Sequence, residues 1–175
     1  MGQVPDIDKL DHQILSILMR NVKIPYTEIA KKLQVSGGTI HVRMKKLEES
    51  GIVNGYHLGV NPEKLGYDIT AFLGIYLDKS SHYTSAIEGL NKINEIVSAH
   101  YTTGLYNIFT KVICRDTNHL RDVLHAIQEI PGIQRTETFI SLEAGIERNL
   151  FLDQSENILL DNEFYIGLDP TTDIA

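Results

Sequence analysis

Seven of the basic side chains fall between residues 20 and 46: Arg20, Lys23, Lys31, Lys32, Arg43, Lys45 and Lys46, against Glu28 alone. The chain as a whole is acidic, with a formal net charge of −7, and residues 62–175 carry 8 basic and 17 acidic side chains. An asymmetry of this kind marks the basic segment as the part that meets an anion. In the stretch SGGTIHVRMKKLEES, Ile40, Met44 and Leu47 recur at the spacing of one helix face, and Thr39, Arg43 and Lys46 form a separate row at i, i+4 and i+7. Such a row fits a DNA major groove, with Arg43 suited to guanine, and Lys45 and Lys46 to phosphates.

The chemistry at the start of this helix points the same way. Ser36 is placed to cap it, and the free N–H groups beside Gly37 favour an anion. His41 joins the residues expected to face DNA. Gly37 and Gly38 each cost a helix about 0.5–1 kcal/mol relative to alanine. Two gains could offset that cost: close approach of the phosphate backbone, or relief of crowding beside the first helix. A helical hairpin with a solvated basic face is the plainer reading of the same residues.

The elements that must position these side chains are legible around them. Leu10, Ile14, Ile17 and Leu18 follow helical spacing behind a cap at Asp8, and Pro25 opens a short helix carrying Ile29, Ala30 and Leu33 inward. A third helix runs from Ser36 to about Ser50, where Gly51 stops it. The three together form a helix-turn-helix candidate of winged type, with Gln34 standing where many such turns use glycine. Residues 53–68, rich in glycine and with Pro62, read as a strand and hinge linker.

Beyond the linker the texture changes. Strands are expected at 70–78, 96–104, 106–115 and 133–144, and helices at 83–93 and 117–130. The order βαββαβ is the ferredoxin-like arrangement, so the whole chain is of α+β class. A faint repeat, INEIVSAHYT (93–102) against IQEIPGIQRT (127–136), places a helix end, a turn and a strand start in the same order.

A helix-turn-helix spelled this way and followed by βαββαβ resembles the Lrp/AsnC family of feast/famine regulators, and is most similar to its asparagine-responsive branch. The resemblance is carried by SGGTIHVRMKKLEESGIV (36–53), KLGYDITAFLGI (64–75), HYTTGLYNIFTKVICR (100–115) and QRTETFISL (134–142), and it covers roughly residues 6–144. It implies a DNA-binding domain at 1–52, a linker at 53–68, and at 69–144 a RAM domain that binds an amino-acid effector and assembles dimers into octamers. The effector would lie between dimers, against Tyr101, Thr102, Gly104, Tyr106, Thr136 and Thr138, with Asp116 placed for an ammonium group. The chemistry is reasonable, because a zwitterion needs N–H donors for its carboxylate and oxygen acceptors for its ammonium. Threonines are also ordinary strand formers, and either tyrosine could be core. Asn107, where many members carry an acidic residue, leans toward a neutral effector such as asparagine.

Two other functions share this architecture. Sirohaem decarboxylases resemble it without acting on DNA, and His41, His57, His82, His100, His119 and His125 could serve a tetrapyrrole. These histidines have no nucleophile or metal-ligand spacing, so neither an enzyme, a metal nor a cofactor is expected. A non-specific architectural DNA binder is the other alternative. Lone Cys114, in an apolar run, reads as a buried thiol. No apolar run reaches the ~20 residues of a membrane span, and the acidic N-terminus lacks a signal peptide's pattern, so a cytoplasmic protein is expected. Residues 145–175 form an acidic extension, with Arg148 against seven acidic residues. Within it, Ile158–Leu160 and Phe164–Ile166 are expected to pack on a neighbouring subunit.

Overall fold

The first helix, α1 (Lys9–Arg20), begins with a reciprocal pair of caps: the Asp11 N–H donates to Asp8 Oδ1 at 3.0 Å and the Asp8 N–H donates to Asp11 Oδ2 at 3.2 Å. The computed structural model describes residues 6–148 and Leu152. These fall into two compact units, one formed by residues up to His57 with Arg148 and Leu152, the other by Leu58–Glu147.

In the first unit, α1 is followed by α2 (Tyr26–Leu33) and α3 (Gly37–Glu49). Pro25 precedes α2 without a side-chain cap, as its fixed φ allows. Gln34 ends α2 with φ 55° and, among the described residues, is the non-glycine residue in the left-handed region. The three helices bury Ile14, Ile17 and Leu18 of α1, Ile29 and Ala30 of α2, and Ile40, Met44 and Leu47 of α3 in one core. Leu152 packs against the same core. The strand expected within 53–68 is not formed: the described strands all lie between residues 69 and 140, and within 53–68 only Glu63–Leu65 is regular, as a turn of 3₁₀ helix. A strand needs a paired neighbour, and Gly55, Gly59 and Gly66 leave this segment short of the side chains that would favour one.

The second unit is a four-stranded antiparallel sheet in the order β2-β3-β1-β4, with β1 at Ile69–Leu77, β2 at Ile96–Tyr101, β3 at Ile108–Cys114 and β4 at Ile133–Ile140. Helices α4 (Tyr83–Leu90) and α5 (Thr117–Gln128) pack on one face. The alternation of β3 is complete: Ile108, Thr110, Val112 and Cys114 are buried, and Phe109, Lys111 and Ile113 face the other way. Ile108, Val112 and Cys114 form the second core with Ala71, Leu73, Ile75, Leu90, Leu120, Val123 and Ile127. Cys114 is the buried thiol the sequence indicates, and burial pushes its pKa up.

Two expectations shift here. The last strand ends at Ile140, and Leu142 beyond it is almost fully exposed. The faint repeat is out of step by three residues, because β2 starts at Ile96 and β4 at Ile133, where the Pro131–Gly132 turn has moved the strand start.

Candidate functional site

At about 100° per residue, the side of α3 away from its core carries Gly38, Val42, Lys45 and Glu49, flanked by Thr39, Lys46 and His41. Ser36 caps the helix, its Oγ accepting from the Thr39 N–H at 3.0 Å and lying 2.8 Å from Thr39 Oγ1. His41 is exposed and meets the Tyr26 ring edge-on, centroids 4.8 Å apart. Lys45 pairs with Glu49 at 3.7 Å, both well exposed, and Lys46 Nζ donates to the Asp6 carbonyl at 3.1 Å. A side chain at Gly37 would meet nothing within 4 Å, and one at Gly38 only Ser36 Oγ at 3.7 Å. Relief of crowding therefore does not explain these two glycines.

Arg43 departs from the expected outward row. Its guanidinium turns to the start of α1, where it donates to Asp8 and, at 3.1 Å, to Asp11 Oδ1. The cause is its place on the helix: about 60° from Ile40, it stands at the border of the buried face, alongside two carboxylates fixed by the cap of α1. The Arg43 guanidinium, in turn, holds the Asp8 carboxyl below the usual carboxylate range. The position that does face outward is Val42, 71% exposed, which is not among the residues expected to face DNA. The signal was present in the spacing, since Val42 lies two residues, or about 200°, from Ile40.

The proposed effector residues are dispersed over the sheet. Tyr101 pairs with Ile108 on edge strand β2, and Thr136 and Thr138 pair with Ile75 and Leu73 on edge strand β4. By register all three project from the helix-covered face, but the edges are separated by three strand spacings, about 14 Å. Tyr101 meets the Tyr83 ring at 4.5 Å, and Gln128 reaches Thr136 Oγ1 at 3.5 Å. Thr102 Oγ1 donates to the Tyr106 carbonyl, closing the β2–β3 turn, and Gly104 at its tip has open space around it.

Tyr106 lies on the opposite, open face. Its ring covers Gly74, where a Cβ would come within 2.3 Å of it, and its hydroxyl donates to Glu137 Oε2 at 2.9 Å. Tyr76 donates to the other Glu137 oxygen at 3.1 Å, beneath the Arg135 guanidinium 3.9 Å from its ring centroid. The carboxylate beside it pushes the Tyr106 hydroxyl above its usual pKa. Phe72 stacks on Phe109 at 6.0 Å, and Phe139 is 48% exposed, so this face is aromatic and open.

Asp116 is the N-cap of α5, accepting from the His119 N–H at 2.8 Å, and that bond lowers its pKa. Asn107 is likewise engaged: its Oδ1 accepts from the Leu77 N–H at 2.9 Å and its own N–H donates to the Ile75 carbonyl at 2.9 Å. That position needs an acceptor, which an acidic residue would also supply, so Asn107 says nothing of effector charge.

Three of the histidines keep separate partners. His82 meets Asp78 at 2.6 Å, His119 meets Glu95 at 3.1 Å, and His41 meets Tyr26. Among the described residues no group of three or more His, Cys, Asp or Glu side chains could hold a metal ion, and no helix is long and apolar enough to cross a membrane.

Comparison with known proteins completes the picture. Residues 7–54 match the winged helix-turn-helix DNA-binding family and residues 70–151 the Lrp/AsnC ligand binding domain. The regulatory protein AsnC of Escherichia coli is 46% identical over 145 residues, spanning 82% of this chain and 95% of that protein. Its solved structure superposes with a TM-score of 0.79, covering 83% of this chain and 99% of that one. The HTH-type transcriptional regulator FL11 of Pyrococcus abyssi is 37% identical over 81% of this chain and 93% of its own. A transcriptional regulator of Neisseria meningitidis, solved as a complex with L-methionine, shares the fold with a TM-score of 0.77 at 23% identity, covering 86% and 98% of the two chains. The three-helix unit, the four-stranded sheet and these likenesses make the chain a member of the Lrp/AsnC family, a DNA-binding transcriptional regulator rather than an enzyme.

Proposed function

We propose that the chain is a sequence-specific regulator whose assembly responds to an amino acid, with asparagine the first candidate. In this reading residues 1–52 bind DNA, 53–68 link, and 69–144 sense and assemble in the cytoplasm. The observation that carries it is the placement of Tyr101 and of Thr136 and Thr138 on one face at opposite sheet edges. Residues about 14 Å apart in one chain cannot hold one amino acid. They form one site when the β2 edge of one copy stands beside the β4 edge of another, with Gly104 N–H groups and threonine hydroxyls receiving the zwitterion. The open aromatic face around Phe72, Phe109 and Phe139 suits a second copy as the dimer contact. Edge contacts then join dimers, up to an octamer.

Each dimer presents two α3 helices to half-sites about one DNA turn, or a multiple, apart. Gly37, Thr39, His41, Lys45 and Lys46 would touch the duplex, with Ser36 ordering the helix start. Effector binding shifts the assembly only as far as its affinity differs between assemblies.

The experiment has two arms. Selection of random duplexes by the purified chain should enrich a two-fold symmetric motif; binding of random DNA within a few-fold of the selected sites at physiological salt would favour an architectural binder instead. Calorimetric titration with asparagine should show saturable binding that Thr136→Val abolishes. Saturable binding unaffected by Thr136→Val would move the site elsewhere, and no heat with any amino acid would remove the sensing half of the reading. The packing expected of Ile158–Leu160 and Phe164–Ile166 on a neighbouring subunit lies outside the described residues.

A further inference from the structure

On α3 the buried side is narrow: Ile40, Met44 and Leu47 are each at most 2% exposed. Val42 stands on the opposite side of the helix and is the most exposed of its apolar residues. A β-branched side chain is among the poorer helix formers, so neither packing nor helix propensity accounts for valine there. Its surroundings are polar and mostly cationic, with Glu49 two turns on paired to Lys45. Lys45 and Lys46 follow one turn later, His41 and Thr39 flank it, and Gly38 precedes it by one turn with no side chain to obstruct approach. Val42 is thus the apolar summit of a basic helix face.

We propose that Val42 determines specificity by contacting the C5-methyl of a thymine. The proposal rests on the reading that α3 enters the major groove. A valine side chain offers methyl groups and no hydrogen bond. The apolar partner displayed on the floor of a major groove is the thymine methyl, whereas the other base edges there present donors and acceptors. Flanking lysines on phosphates would hold the helix at the depth at which its outermost side chain meets a base edge. The fold keeps Arg43 for Asp8 and Asp11, so base reading falls to the shorter side chains of this face.

The test uses uracil, which keeps every hydrogen-bonding group of thymine and lacks its methyl. Duplexes enriched by the full-length chain are resynthesised with uracil at each thymine in turn, symmetrically in both half-sites. Wild type and Val42→Ala are then titrated against each. Burial of one methyl group is worth about fourfold in affinity. Wild type should therefore lose about fourfold per half-site at one symmetric thymine, and Val42→Ala should bind thymine and uracil there alike. Because Val42 is exposed and alanine is the better helix former, the variant should melt at or slightly above the wild type, which shows that loss of folding is not what changed binding. Equal uracil penalties for wild type and Val42→Ala at every thymine overturn the proposal while leaving sequence-specific binding intact. Enrichment of no motif at all overturns the specific reading and this inference with it.

Discussion

The guanidinium of Arg43 on α3 donates to Oδ1 of Asp11 on α1 at 3.1 Å, and the carboxylate it reaches has no exposed surface. Asp11 also closes the cap of α1 through the Asp8 N–H. One cation therefore ties the helix that faces outward to the helix that supports it. Arg43→Ala removes that partner and leaves a buried acceptor short of a donor, at a cost of about 1–3 kcal/mol. The expected outcome is a lower melting temperature with an unchanged ratio of affinities for selected and random DNA, measured well below the transition. A variant that melts with the wild type but loses base preference would return Arg43 to the groove.

The same cluster sets an acid limit on the helical unit. Arg43 holds the Asp8 carboxyl below its ordinary value of 3.8. A carboxyl that ionises more readily folded than unfolded adds stability above the unfolded value, and that stability is lost as pH falls through the lowered folded one. Below about pH 4 the wild type should lose stability faster than Asp8→Asn, which keeps a capping oxygen but does not titrate. Thermal melts of both proteins between pH 6 and pH 3 check this, and parallel curves would detach Asp8 from the acid response.

The contrast between Arg43 and Ile40 shows how far the sequence could be read. Among the described residues, periodicity located every α-helix and the inward side of α3, because burial of Ile40, Met44 and Leu47 imposes a spacing that survives in one dimension. The cap at Asp8 was legible for the same reason, being a local rule. What Arg43 does was not legible, because its partners lie 32 and 35 residues away and a helical wheel shows a border position without showing the neighbour across it. The effector residues are legible only in part: Tyr101 and Thr136 are each visible as strand residues, but their separation at opposite edges is a property of strand order. The place of Tyr106 on the open face was likewise not legible, because its ring lies over Gly74, a residue 32 positions away whose lack of a side chain leaves room for it.

That glycine gives a prediction in the sheet. A methyl group at Gly74 would sit 2.3 Å from the Tyr106 ring, so Gly74→Ala displaces the ring and its hydroxyl from Glu137. The overpacking should cost about 1–3 kcal/mol. In a Tyr106→Ala background the same substitution should cost nothing, since alanine is the better strand residue once the ring is gone. A double-mutant cycle by chemical denaturation measures the coupling, and additive effects would show that the ring does not depend on the glycine.

Asp116 separates a structural carboxylate from a ligand-binding one. Its oxygen accepts the His119 N–H at the start of α5, and that bond lowers its pKa, as it does for any carboxylate at a helix N-terminus. A cap needs only an acceptor, whereas recognition of an ammonium group needs the charge. Asp116→Asn should therefore melt slightly below the wild type, since it keeps the acceptor and gives up the charge, and should retain asparagine binding, while Asp116→Ala should lower the melting temperature further, by a few degrees, and leave binding in place at low temperature. Melting curves and calorimetric titration of the two variants decide the matter together. If Asp116→Asn keeps its stability and loses asparagine, the carboxylate acts on the ligand, and the effector site reaches beyond the sheet edges to the end of β3.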